Sequence, residues 1–543
     1  MKRMTLISLG FCFFAAVLLL RLCYLQVWCH EPLAAKADAQ ELYSVELEEF
    51  PRGRILDRHG NAITADSATF SLLVIPSLVE DPTAFSERVG ATAALSPSLL
   101  YRKIVTETDR GTALRKEAFV AKSDLSQKEI NALEALGEAG LFVISRQGRY
   151  AGDLPALHLI GALEKKNENT AVGVSGLERI YDAVLAAGSS RKLRFLVDEK
   201  NQGIRSDAYF EEGGDSGNAG SLATTIDLDI QRGAEAALGD RSGAVVVLDS
   251  KTADVLAMVS APKYDPAHTA AEVGEEAYVN KALSAYPPAS LMKIFLYALA
   301  LEAGKVAPET AFFCNGSYAL TADTRISCWK KEGHGFLLCE DALGESCNPV
   351  AIKTATELGE NAFRDSFSLW ELDRDLLLGY PLRASSALEL AENNAAALAN
   401  VALGENGVKM TPLNVAKMIN VIATGGILKT PRVVTAVYDQ KGEAIETFQG
   451  DEKRVLSEET AKIVTSMMKK TFETGTAKSL HLAELAIAGK TGTSETGNVW
   501  IGGFFPAEEP RYTIAILIND GTGGTASGGP VMKKLCAYLG NLP

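Results

Sequence analysis

Pro287-Pro-Ala-Ser-Leu-Met-Lys-Ile-Phe-Leu-Tyr-Ala-Leu-Ala-Leu-Glu-Ala303 is the stretch whose reading decides the fold of this chain. The two prolines stop whatever precedes them. Leu291 to Ala303 is then nearly all apolar until Gly304, and a helix apolar on every face is a buried helix. Ser290 falls in its first turn, where unpaired backbone N–H groups and the positive dipole end favour developing negative charge. Lys293 lies three residues on, on the same side. A lysine at the head of an apolar helix is desolvated, which lowers its pKa from about 10.4. A neutral amine there can take the serine proton.

Two further strings complete an acyl-transfer site: Ser346-Cys-Asn348 and Lys490-Thr-Gly-Thr493. They are far apart in the chain, so only folding can unite them with Ser290. S-x-x-K alone is weak, because it occurs five times, beginning at Ser189, Ser260, Ser290, Ser327 and Ser466. Ser260-Ala-Pro-Lys263 carries a helix-breaking proline. Ser189-Ser-Arg-Lys192 sits in a polar, glycine-flanked stretch, and Ser327-Cys-Trp-Lys330 reads as loop. Ser466-Met-Met-Lys469, on an amphipathic helix from Glu458 to Phe472, is the strongest decoy, and there the methionines read as core.

The middle string follows Leu337 to Gly344 and runs into Pro349, which reads as a helix end and turn holding Ser346 and Asn348 outward. The hydroxyl can relay a proton and the amide can hold a substrate carbonyl. The third string sits on a strand from Leu485 to Ser494, followed by Val499 to Phe505 and Tyr512 to Ile518, an antiparallel meander. Gly492 permits close approach of another backbone. A substrate peptide can then add along this strand, with Lys490 facing a carboxylate. The amides of Ser290 and Thr493 are candidates for an oxyanion hole. Ala244 to Leu248 and Val255 to Val259 read as a hairpin, after a helix from Leu228 to Leu238. The hairpin and meander together give five strands, an α/β (α+β) pattern of sheet flanked by helices.

The chain has 543 residues, 47% apolar and 22% charged, enough for two or three packed domains. Met4 to Leu20 is free of charge behind Lys2 and Arg3, and Leu22 to Trp28 extends it past Arg21. That is long enough to span a bilayer, with the basic end inside and Tyr24 and Trp28 at the far interface. The nearest small-residue cleavage site, Ala37-Asp-Ala39, lies too far beyond the apolar run, so an uncleaved anchor is favoured over a signal peptide. The rest of the chain is expected to be extracytoplasmic. Residues 48–212 carry no cluster that reads as catalytic, and 213–220 closes a Gly-, Asp- and Glu-rich composition break. A net charge of −14 argues against nucleic-acid binding.

With these residues in place the chain resembles a class B penicillin-binding protein, a membrane-anchored D,D-transpeptidase of peptidoglycan synthesis, nearly end to end. The motif trio is shared by serine β-lactamases and penicillin-binding proteins. Arg52-Gly-Arg-Ile-Leu-Asp-Arg58 resembles the opening segment. His158-Leu-Ile-Gly161 and Gly176-Leu-Glu-Arg-Ile-Tyr-Asp182 resemble the pedestal, or dimerisation, domain. Gly243 to Pro266, Thr411-Pro-Leu413 and Trp500 to Pro506 resemble the transpeptidase domain. The resemblance implies an anchor at 1–30, a mixed α+β pedestal at 48–212, a linker at 213–220 and a transpeptidase domain at 221–543. That last domain is expected to hold a five-stranded antiparallel sheet flanked by helices. It implies that Ser290 attacks a stem-peptide carbonyl and is acylated by β-lactams, with Lys293 as base and Ser346 and Asn348 as relay and positioning pair. Lys490, Thr491, Gly492 and Thr493 then form the carboxylate and oxyanion wall. A membrane-embedded glycan polymerase and a second copy of the chain are the implied partners. No cofactor is implied.

The chain departs from the family at Ala289, where glycine is usual, and at Gly404-Glu-Asn-Gly407, where glycine-glutamine-glycine is common. Neither departure is expected to touch a catalytic group. Two rival functions carry features of their own. Glu389 and Asn393 form the E-x-x-x-N string that some β-lactamases use for deacylation, which fits a β-lactam-hydrolysing or β-lactam-sensing protein. A catalytically silent cell-wall scaffold is the other rival, and the intact trio opposes it. Cys12, Cys23 and Cys29 lie in or beside the span, while Cys314, Cys328, Cys339, Cys347 and Cys536 lie outside it. An oxidising exterior permits disulfides. One from Cys347, to Cys328 for instance, would distort Ser346 and Asn348 and make acylation redox-sensitive, but a small buried apolar residue is the favoured reading of Cys347. Zinc on Cys314, Cys328, Cys339 and His334 has no usual ligand spacing, and no metal is expected.

Overall fold

A computed structural model describes residues 2–31, 33, 42–49, 52–64, 67–108, 111–115, 118–123, 125–150, 154–165, 171–186, 191–196, 209–212, 220–266, 278–321, 324–480 and 486–542. Ala37-Asp-Ala39 and the 213–219 segment lie outside them.

Five strands form the antiparallel sheet expected from the sequence, in the order Val255–Ala261, Gly243–Asp249, Tyr512–Ile518, Val499–Phe505 and Ala488–Thr493. Its residues are buried on both faces, which is why the strands read as continuous apolar runs without alternation. Val245, Val247, Ile514 and Ile516 pack outward against Leu228–Leu238 and Gly529–Gly540. Val246, Leu248, Ala515 and Leu517 face the larger core built from Met292–Glu302 and Pro412–Ala423. The layers are thus helix, sheet, helix. Asp227 caps its helix by accepting from the amides of Asp229 and Ile230, and Thr411 caps the other by accepting from Asn414.

Ahead of this body, Phe119–Lys122, Ser67–Val74 and Leu141–Gly148 form a three-stranded antiparallel sheet with its own core. Its helices, Pro82–Ala93, Pro97–Ile104 and Gln127–Leu136, close one face. The segments around Arg52, His158 and Gly176 meet at one buried knot. Glu178, fully buried, accepts from Arg52 at 3.1 Å and Arg149 at 2.5 Å, and Arg52 also reaches Asp182 at 2.8 Å. Gly161 and Gly176, both at positive φ, lie so close that a Cβ on either would strike the other segment. The knot rests on the sheet body: Glu235 accepts from the Ala156 amide and from Lys263, and the Tyr181 hydroxyl donates to the Gly379 carbonyl.

At the other end, Lys2–Cys23 is helical and continues through Tyr24–Trp28. Leu9–Trp28 is long and apolar enough to cross a membrane, and its side chains are unburied.

Candidate active site

Ser290 sits in a single 3-10 turn, Ala289–Leu291, that leads directly into the buried helix Met292–Glu302. The helix begins one residue later than the apolar run, but the serine remains at its head. Two bonds pin the turn: the Trp500 indole donates to the Pro287 carbonyl at 2.8 Å, and the Ala289 amide donates to Gly404 O at 2.8 Å. Ala289 has φ 50°, a left-handed conformation that glycine adopts at no steric cost. The departure from the family's glycine therefore falls where it costs about 1 kcal/mol.

Lys293 is fully buried, and its partners all come from the Ser346 loop. Its Nζ donates to Ser346 O at 2.8 Å, Ser346 Oγ at 3.3 Å and Asn348 Oδ1 at 2.7 Å, across 53 to 55 positions of sequence. Burial lowers its pKa to about 8, against smaller opposing effects of nearby Cys347, Cys328 and Glu405. The loop takes a shape the sequence reading did not give it. Gly335–Leu338 is a strand, Cys339–Ala342 a single helical turn, and Ser346 has φ 52°. Pro349 belongs to the first turn of a new helix, Asn348–Leu358, instead of closing an old one. Proline fits there because first-turn amides have no helical partner.

The Lys-Thr-Gly strand is the outer strand of the sheet. A Cβ on Gly492 would lie 3.1 Å from the Ser290 amide nitrogen, the Ala289 Cβ and the Leu291 side chain, so the expected close approach is present. Lys490 is fully buried and donates to Thr491 O at 2.7 Å. Burial, and then the charge of Lys293, hold its pKa well below the ordinary range. Thr491 is buried and shares a hydroxyl contact of 3.0 Å with Thr476, whereas Thr493 is exposed and accepts from the Gly524 amide.

The structure thus unites Ser290, Lys293, Ser346, Asn348, Lys490, Thr491, Gly492 and Thr493. Of the decoys, Ser327 lies against the site through its main chain, its carbonyl accepting from Asn348 Nδ2, and the strongest lies elsewhere. Ser466 lies on Glu458–Glu473, where Lys469 pairs with Glu508 at 2.6 Å and keeps its charge. Glu389 and Asn393 are exposed, and their backbones bond to Gly407 and Glu360.

One group of functional interest escaped the sequence reading, and a second was read with one wrong member. Glu405, in the Gly404-Glu-Asn-Gly407 departure, is near enough to influence Lys293, and burial raises its pKa to about 7. Its Oε2 accepts from the Glu495 amide at 3.2 Å. That departure therefore does bear on the site. The second group is a cluster of Cys314, Cys328, His334 and Cys347, which excludes Cys339. The three thiols are free, with no disulfide. Spacing alone does not signal Glu405, nor that Cys347 stands in the cluster in place of Cys339, since both depend on loops meeting in space.

A serine at a helix head, a buried lysine one turn on and a Lys-Thr-Gly edge strand define the serine acyl-transferases built on this sheet. Residues 243–537 match the Penicillin binding protein transpeptidase domain, and 48–218 match the Penicillin-binding Protein dimerisation domain. The chain belongs to the penicillin-binding protein family, as a class B member. It is 25% identical to Stage V sporulation protein D of Bacillus subtilis over 560 residues, covering 96% of this chain and 82% of that one. It is 24% identical to Peptidoglycan D,D-transpeptidase MrdA of Haemophilus influenzae, covering 99% and 92%. It is 30% identical to Peptidoglycan D,D-transpeptidase PbpA of Mycobacterium tuberculosis, covering 66% and 78%. A solved chain described under structural coordination of polymerization and crosslinking by a peptidoglycan synthase complex covers 100% of this one and 99% of itself, at 24% identity and TM-score 0.69. A D,D-transpeptidase domain from Eggerthella lenta covers 90% of this chain and 99% of itself, at 22% identity and TM-score 0.62.

Proposed function

We propose that this penicillin-binding protein is a peptidoglycan D,D-transpeptidase in which Ser290 is the nucleophile and Lys293 its general base. The observation that carries the reading is the bonding of a fully buried Lys293 to both Ser346 and Asn348. A pKa of about 8 leaves roughly 300-fold more neutral amine at pH 7 than the ordinary 10.5 allows. Ser290 Oγ attacks the carbonyl of the penultimate D-Ala while its proton passes to Lys293. The peptide bond breaks, the terminal D-Ala leaves as the protonated amine through Ser346, and an amino group of a second stem resolves the ester. Asn348 positions the donor peptide along the Lys490–Thr493 strand, and the amides of Ser290 and Thr493 receive the oxyanion. An arriving carboxylate favours the charged form of Lys490 and opposes the burial that lowers its pKa. β-Lactams acylate the same serine.

In this reading 1–30 anchors the chain with its N-terminus cytoplasmic, 48–212 is the pedestal, 213–220 the linker and 221–543 the extracytoplasmic transpeptidase domain. The pedestal is offered to a membrane-embedded glycan polymerase and to a second copy of the chain. The synthase-complex description of one structural relative supports the polymerase. The test is fluorescent-penicillin labelling of wild type, Ser290→Ala and Ser466→Ala. Loss only in Ser290→Ala is expected, and loss only in Ser466→Ala overturns the assignment. Rapid turnover of the β-lactam, in place of a stable adduct, favours the hydrolase alternative.

A further inference from the structure

Behind the Ser346 loop, two tight turns and the loop itself bring four soft ligands to one point. The Sγ atoms of Cys314, Cys328 and Cys347 and a ring nitrogen of His334 all lie within 4.8 Å of one another. We propose that these four side chains form a closed Cys3His site for a structural Zn2+ ion that holds the Ser346-Cys-Asn348 loop in its catalytic shape. Binding of the ion is independent of the transpeptidase reading, and only its service to catalysis rests on it.

The chemistry of the donor set points to zinc. Three thiolates and an imidazole in tetrahedral array select zinc among the available divalent ions, and four protein ligands leave no open position for a catalytic water. With Zn–S of about 2.3 Å and Zn–N of about 2.0 Å, tetrahedral geometry puts S and N roughly 3.6 Å apart. Cys328 Sγ lies 3.6 Å from His334 Nδ1. The cysteines are buried, and the His334 side chain is 2% exposed.

The surroundings are those a metal-bound histidine needs. His334 Nε2 is buried without a hydrogen-bond partner, and 3.7 Å from it lies Glu345 Oε2. A carboxylate beside the far nitrogen fixes the tautomer and raises the basicity of a ligating imidazole. The amides of Lys330 and Asn348 point at Cys328 Sγ and that of Val350 at Cys347 Sγ, which suits thiolates. The two turns are locked together by glycines at positive φ. A Cβ on Gly316 would lie 2.0 Å from Lys331 O, and one on Gly333 would lie 2.3 Å from Cys314 O.

The consequence for the site is direct. Cys347 separates Ser346 from Asn348, and Asn348 Nδ2 donates to Ser327 O, next to Cys328. An ion held by Cys328 and Cys347 therefore ties together both sides of the loop that supplies every partner of Lys293. A Cys328–Cys347 disulfide is the competing chemistry, and it would leave Cys314 and His334 without a role.

The full chain carrying Ser290→Ala, purified in detergent without chelator, serves as the probe for elemental analysis, so the result is independent of acylation. One zinc per chain is expected. It should fall to background in Cys314→Ser and His334→Ala and persist in Cys339→Ala. Glu345→Gln, at a partly exposed position, should weaken zinc about 10–100-fold without unfolding the chain. Replacement by Co2+ should give the charge-transfer and visible bands of tetrahedral thiolate ligation. Chains that take up no stoichiometric zinc on titration overturn the proposal. So does a Cys328–Cys347 disulfide in protein isolated with zinc present, or metal that depends on Cys339 and not on Cys314.

Discussion

The contact most open to a single-atom test is that between Gly492 and the Ser290 turn. A methyl group added at Gly492 would lie 3.1 Å from three neighbours at once, the Ser290 amide nitrogen among them. Comfortable carbon contacts begin near 3.5 Å, so a gap of about 0.4 Å must open. The turn cannot easily yield it, because Trp500 and Gly404 hold Pro287 and Ala289. Nor can the strand yield without stretching its ladder to Val499–Phe505. Overpacking of this kind costs about 1–3 kcal/mol of stability. The larger effect is on chemistry, because the opening separates the Ser290 amide from the Thr493 amide. If one oxyanion donor is lost, Gly492→Ala should acylate roughly 100–1000-fold more slowly than wild type, which corresponds to about 2.7–4 kcal/mol. Stopped-flow acylation by a fluorescent penicillin, read beside a thermal melt, measures both quantities. Gly497→Ala is the control: its φ is +83° with open space around the added Cβ, so it should lose about 1 kcal/mol of stability and keep its acylation rate. A Gly492→Ala protein that acylates as fast as wild type refutes the oxyanion assignment.

Other outcomes follow from the same geometry. Lys293 acts as a base only when neutral, so the acylation rate should rise with pH up to about 8 and level off above it. Glu405 is anionic above about 7 and favours the charged lysine, so Glu405→Gln should move that limb to lower pH; an unmoved limb separates Glu405 from the site. Arg52→Met leaves the buried Glu178 with Arg149 as its remaining partner from that pair, and urea melts should show a loss of about 3–5 kcal/mol. Trp500→Phe removes the bond to Pro287 O and should cost about 1–3 kcal/mol, with acylation falling further than the melt alone accounts for.

The sheet was legible because its strands are buried on both faces, which leaves runs such as Val499-Trp-Ile-Gly-Gly-Phe-Phe505 with no competing helical period. The Ser290 helix was legible for a similar reason, its apolar residues covering every face. The Ser346 loop was not. Its shape depends on a left-handed serine and on Pro349 entering a helix, and proline is equally at home after a helix and in its first turn. Glu405 reads from sequence as an ordinary glycine-flanked turn residue. Burial of its carboxyl gives it a raised pKa, with the charge of Glu495 adding to the rise and the Glu495 amide opposing it.

The same limit explains why the middle string matters more than its three letters suggest. Motif reading assigns Ser346 a hydroxyl and Asn348 an amide, yet the shorter bond from Ser346 to Lys293 comes from the serine's main-chain carbonyl. That carbonyl faces the lysine because Ser346 is left-handed, so the base is positioned by backbone conformation as much as by side-chain identity. A left-handed serine is disfavoured by about 1–2 kcal/mol and persists only where its surroundings hold it. Cys347, packed against Cys314 and Cys328 immediately beside it, supplies such a hold. Ser346→Ala should therefore keep the carbonyl bond to Lys293 and lose only the hydroxyl relay. A change at Cys347 should disturb the base itself, and should shift the pH limb of acylation where Ser346→Ala leaves it in place. Equal limbs in the two variants would mean that the loop holds its shape without the cluster behind it.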